Sequence, residues 1–230
     1  MVEEAASLKK FSTMRPSVTL ALSAIPARYV LERGDWADAA QLEPREGPYP
    51  YGQAITYFAR ALGAANTGKA KRAREDVERL RAAEQADLAN PDQAYWAGQS
   101  KILLQAASAW VALADGKDDE ALPMMRSAAD LEDSSDKHVA MENRLFPMRE
   151  LLAYMLIELH QPQAARHEFE NSLKVNPNRL RGLYGAAKAS EMLGDRQAAR
   201  RWYEKLSDLT RAADPGRPEL QEARVFLSKP

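Results

Sequence analysis

Five segments of this chain repeat one pattern. A small residue is followed seven positions later by a turn residue, and five positions after that by an alanine. The segments are Ala27–Gly34–Ala39, Ala61–Gly68–Ala73, Ala109–Gly116–Ala121, Ala153–His160–Ala165 and Ala187–Gly194–Ala199. The turns fall at 34, 68, 116, 160 and 194, so two of the four spacings are 34 residues. Alanine on both sides of a turn lets two helices approach closely, and glycine supplies the left-handed cap that ends the first helix. Such a chain is constrained to form helical hairpins, A then B, each burying one face on the next. The expected fold class is all-α: a right-handed α-solenoid of about five helix-turn-helix units with a C-terminal capping helix.

The units are expected near 17–50, 51–90, 91–131, 146–179 and 180–213, with the cap over 216–228. Residues 1–16 are set apart as an N-terminal helix, with Ala5, Leu8 and Phe11 on one face. In the first unit, helix A is expected over 18–33 and helix B over 36–42. Pro26 should kink that helix A or mark a late start, and Pro44, Pro48 and Pro50 cut helix B short. The third helix A is expected over 92–115. Residues 132–143 are polar and read as the longest loop, and Pro218–Leu227 reads as a terminal helix.

The 34-residue period and its small-residue ladder resemble the tetratricopeptide repeat. Several stretches resemble a narrower group. They are residues 23–36 (SAIPARYVLERGDW), 57–65 (YFARALGAA), 149–152 (RELL) and 183–187 (LYGAA). From about Ser17 onward the chain is similar to the C-terminal half of longer bacterial tetratricopeptide repeat proteins without an established activity. Those proteins carry a histidine-rich segment in their N-terminal half, and no stretch here matches it. On this resemblance, residues 1–16 are the remnant of an upstream repeat.

Composition narrows the function. At 45% hydrophobic and 28% charged residues, the chain suits a folded domain. The net charge of −1 leaves no basic excess for a phosphate backbone, so nucleic acid is not an expected partner. The absence of cysteine excludes disulfides, thiolate metal sites and a cysteine nucleophile, and fits a cytoplasmic location. A periplasmic location follows instead if the chain belongs to a secreted parent. No run approaches the ~18 apolar residues of a membrane span, so no membrane insertion is expected.

In tetratricopeptide arrays the A helices line a concave face. Carrying the inward repeat positions onto this chain selects Arg28 and Glu32, then Phe58, Leu62 and Asn66, then Trp110. It also selects Glu150, Tyr154 and Glu158, then Tyr184, Lys188 and Glu191. Rings mixed with both charge signs are typical of binding hot spots. The plainer reading places Phe58, Leu62 and Trp110 in the packed core. The Lys/Asn clamp by which some such domains hold a C-terminal carboxylate is missing, which disfavours a chaperone-tail ligand. Trp96 lies outside the repeat register and is read as a packing residue, with an exposed partner anchor as the alternative.

Catalytic signals are weak. No Gly-rich phosphate loop, GxSxG or HExxH occurs. Glu150 and Glu158 lie eight residues apart, ~12 Å of helical rise, too far for most paired-carboxylate chemistry. His138, His160 and His167 do not form a metal-ligand pattern. The chain is therefore read as a noncatalytic scaffold without metal or cofactor, holding a protein or peptide on its concave face. A second reading is an accessory fragment of a larger enzyme or metal-binding protein. A third is a homo-oligomerisation module, a homodimer, joined through the open ends of the array.

Overall fold

The computed structural model describes residues 15–135, 144–213 and 216–229. Eleven α-helices and one short 3-10 turn make up the described secondary structure, with no strand. The chain divides into two compact units, the first ending at Phe146 and the second starting at Pro147.

The first unit holds α1 (Pro16–Arg33), α2 (Trp36–Ala39), α3 (Pro50–Asn66), α4 (Ala70–Leu88), the 3-10 turn Pro91–Gln93, α5 (Ala94–Ala114) and α6 (Asp118–Ser134). The second holds α7 (Met148–Glu158), α8 (Pro162–Val175), α9 (Leu180–Met192), α10 (Arg196–Leu209) and α11 (Pro218–Leu227). Consecutive helices pack as antiparallel pairs, α3 on α4, α5 on α6, α7 on α8 and α9 on α10. Within each unit a pair also lies against the next: α4 and α3 both touch α5, and α8 and α7 both touch α9. This is a helical-repeat architecture.

One backbone device closes all five hairpins. Gly34, Gly68, Gly116 and Gly194 have φ of 68–72°, and His160 has φ 53°. The amide of each turn residue donates to the carbonyl three positions back, on Leu31, Ala65, Leu113, Ile157 and Glu191, at 2.9–3.2 Å. The next amide donates five positions back, to Val30, Ala64, Ala112, Leu156 and Ser190, at 2.8–3.0 Å. These paired bonds are a Schellman cap, which satisfies carbonyls the helix end leaves open. Histidine at 160 does what glycine does at the other four turns.

The alanines of the ladder are sealed within the helix packing. Ala27, Ala61, Ala109, Ala153 and Ala187, with Ala39, Ala73, Ala121, Ala165 and Ala199, all have 0% exposure. Around them lie the large core side chains, Phe58 and Phe146 in the first unit, Phe169 and Tyr203 in the second. Backbone comes close at Gly63, where a Cβ would meet Trp36 O and Ala40 N at 2.5 Å, and at Gly185 a Cβ would meet the Phe169 ring closer still. Polar ties repeat as well. Arg74 and Arg166, each six residues past its own turn, bridge to Asp115 and Asp195 beside the following turn.

Four expectations need correction. Residues 132–134 belong to α6, not to a loop, because the helix runs on to Ser134. Pro26 does not mark a late start, because α1 begins at Pro16 and runs through it. Helix α2 is shorter than expected and stops after one turn at Ala39. The third A helix begins as a 3-10 turn nucleated by Asn90, whose side chain accepts from the Asp92 amide at 3.1 Å. The expected helix within residues 1–14, and the polar stretch 136–143, lie outside the described residues.

An added Cβ at Gly116 or Gly194 meets nothing within 4 Å, so alanine there is costly through backbone conformation alone. Gly116→Ala and Gly194→Ala should each lose about 1–2 kcal/mol, whereas His160→Gly should lose nothing. Ala153→Trp or Ala187→Trp should cost about 1–3 kcal/mol or more through overpacking. Urea melts check this, and equal midpoints for the turn and His160 variants would contradict it.

Candidate functional site

The residues expected on a concave face fall into both units. In the first, Arg28 and Glu32 sit half-buried on α1, and the Arg28 Nη2 donates to the Arg144 carbonyl at 3.2 Å. Phe58 and Leu62 on α3 are fully buried, and Trp110 on α5 is 5% exposed. Their side chains belong to the packed layer, as the plainer reading of the sequence has it. Asn66 is exposed and donates back to the Leu62 carbonyl at 2.8 Å, within its own helix.

In the second unit, Glu150 on α7 is fully buried and paired with Arg179, Nε to Oε2 at 2.9 Å. Arg179 is the residue just before α9, so this ion pair joins two successive A helices. Tyr154 is half-buried; its hydroxyl donates to the Arg181 carbonyl at 2.8 Å and its ring meets Phe169 edge-on at 5.0 Å. The Arg181 guanidinium lies 4.5 Å from the same ring. Glu158 is exposed.

Tyr184 and Lys188 on α9 converge on one carboxylate, Glu222 of α11. The Tyr184 hydroxyl donates to it at 2.7 Å and Lys188 Nζ at 3.2 Å. Lys188 also lies 3.6 Å from Glu191, which accepts from the Tyr203 hydroxyl at 2.6 Å. Burial, and then the neighbouring carboxylates, push the phenols of Tyr184 and Tyr203 well above their ordinary range. Burial opposes ionisation of Glu222, but the bonds from Tyr184 and Lys188 prevail and hold its carboxyl below the usual range. Of the expected residues, Tyr184, Lys188 and Glu191 are thus brought into one polar cluster, whereas Phe58, Trp110 and Glu150 are withdrawn into the core.

Sequence reasoning missed several polar groups. Glu222 was hidden on a segment read only as a cap. A second group surrounds Trp96, whose ring packs on Tyr51 at 4.4 Å and on Tyr95 at 5.0 Å. Beside it, the fully buried Asp87 accepts from Ser100 Oγ at 3.0 Å, and burial raises its carboxyl above the usual range. The available signal for Glu150 was its setting among Met148, Leu151 and Leu152, an acid on the apolar stripe of a helix. Among the described residues, no three His, Asp or Glu side chains converge as metal ligands. His160 and His167 are exposed, and His138 lies outside the described residues. No helix among the described residues is long and apolar enough to cross a membrane.

Two outcomes follow. Arg179→Ala strands the buried Glu150 charge and should destabilise by about 3–5 kcal/mol, more than Glu150→Gln; a chemical denaturation midpoint within error of the parent would contradict the pairing. The folded phenols of Tyr184 and Tyr203 hold their protons above the unfolded value of 10.0. Stability from them is therefore complete below pH 10 and declines as the pH rises beyond it. Tyrosinate absorbance and helicity should change together there, and Tyr203→Phe should flatten the loss.

Comparison of the chain with protein-family models, characterised proteins and solved structures finds no match to any of them.

Proposed function

We propose that this chain is a tetratricopeptide-type scaffold, a right-handed α-solenoid that holds a protein or peptide segment on the exposed side of its A helices without catalysing a reaction. The observation that carries this reading is the five identical Schellman turns, each flanked by the same fully buried alanine pair. Repeats built this way create extended binding surfaces. On α7 and α9, Tyr154, Glu158, Tyr184 and Lys188 keep part of their surface in water, and Met192, one turn beyond Lys188, is 43% exposed. An aromatic and aliphatic surface edged by both charge signs suits a segment that is itself amphipathic, with the charges setting orientation.

The pairing of Tyr184 and Lys188 with Glu222 supports a more specific form of this reading. Two donors from one A helix already converge on a carboxylate. A partner's Asp or Glu would meet the same two donors by displacing Glu222 from one or both.

The test begins with affinity capture from the source cell, followed by titration of the captured partner. Tyr154→Ala with Tyr184→Ala should weaken binding by about tenfold or more while helicity is retained. A partner that binds the double variant unchanged would place its site elsewhere. The purified chain should show no hydrolase, transferase or redox turnover; a turnover abolished by changing one of these surface residues would overturn the noncatalytic reading.

A further inference from the structure

Seven acidic side chains are buried among the described residues. Five of them, Asp76 and Glu150 included, have an arginine nitrogen within 3.2 Å. The other two, Glu84 and Asp87, lie one turn apart near the end of α4. Among the described residues, neither is within ion-pair distance of a Lys, Arg or His. A buried charge without a partner is costly, and a carboxyl so placed avoids the cost by keeping its proton.

Asp87 is the last residue but one of α4, where the helix dipole already disfavours a negative charge. It has 0% exposure. Its Oδ2 accepts from Ser100 Oγ of α5 at 3.0 Å, and the Tyr51 amide at the start of α3 faces the same carboxyl. Its Oδ1 has no hydrogen-bond donor. Glu84 adds a like charge one turn back, and its own Oε2 accepts from Gln85 Nε2 at 2.9 Å. The 3-10 turn packed on the end of α4 brings the exposed Asp92 and Gln93, whose Oε1 is sealed and also lacks a donor. Tyr95 of α5, Arg28 of α1 and Glu132 of α6 act on the Tyr51 phenol behind this group. The two orphan atoms, Asp87 Oδ1 and Gln93 Oε1, are both acceptors, so what this joint lacks is a proton.

We propose that Asp87 is a proton-operated clasp: with its carboxyl neutral it ties the end of α4 to α3 and α5, and with the carboxyl ionised that joint loosens. Helices α3 and α5 are successive A helices, so the clasp sits where one hairpin meets the next. Burial, and then the charge of Glu84, raise the carboxyl above its ordinary value of 3.8, against the opposing bonds from Ser100 and Tyr51. The unfolded chain gives up this proton at its ordinary value and the folded chain at a higher pH. The stability it contributes is complete below the unfolded value and is lost as the pH rises through the folded one. Mild acid tightens the joint, and rising pH relaxes it.

The test follows the carboxyl directly in the whole chain. The side-chain carboxyl resonance of Asp87 is titrated by carbon NMR and assigned by its loss in Asp87→Asn. Its midpoint should lie above the ordinary aspartate range. Ser100→Ala removes a donor to the ionised form and should move that midpoint further up, whereas Glu84→Gln removes the like charge and should move it down. Urea midpoints of the parent and Asp87→Asn should converge toward about pH 4 and separate toward about pH 8, with the variant the more stable. Amide exchange over residues 85–97 should quicken with pH in the parent relative to Asp87→Asn. A carboxyl midpoint within or below the ordinary range, a midpoint unmoved by both neighbouring substitutions, or a stability difference that does not vary with pH would overturn the assignment.

Discussion

The structure depends on the left-handed turn and the alanine contact acting together. The Schellman bonds fix the direction in which the chain leaves each A helix. The paired alanines then decide how closely the B helix can return. Each alanine buries little surface itself, and its worth lies in what it permits. With small side chains at both positions, the flanking Phe58, Phe169 and Tyr203 bury completely. A larger group at any of the ten positions would push apart a contact on which the surrounding core relies.

What was legible in the sequence follows from this. Turn glycines and ladder alanines answer local demands, a positive φ and a short interhelix distance, which one residue type meets almost alone. The five turns, the hairpins around them and the bounds of the last helix could be read without coordinates. His160 kept its place in the pattern although its residue type gave no hint of the φ it adopts. A late start at Pro26 was the wrong alternative for the converse reason: a proline inside α1 is a local penalty outweighed by packing on α3.

The candidate site was less legible because exposure on an A helix is decided by whatever packs over it. Glu150 and Tyr184 occupy the same repeat position, as does Phe58. The first is sealed beneath an arginine twenty-nine residues away, the second reaches the terminal helix, and the third is core. No periodicity in the chain carries that information. The same holds for buried acids on B helices. Asp76 and Glu168 each stand eight residues past a turn, and each is held by an arginine of its own A helix or that helix's start, Arg60 and Arg149. Such pairs contribute little net stability, but a mispaired register would leave a charge buried alone.

The one-turn length of α2 has a consequence for how the first unit comes apart. In a nearly one-dimensional array, each hairpin is held by its own two helices and by its neighbours. Helices α4 and α6 have nineteen and seventeen residues, whereas α2 has four. The first hairpin is therefore held less by its own two helices than by the packing of both α1 and α2 on α3. Amide protons of α1 and α2 should exchange through a local opening that leaves α3 to α6 intact, giving a gradient of protection along the first unit. The prolines that follow α2 thus set where fraying from this end of the unit comes to rest.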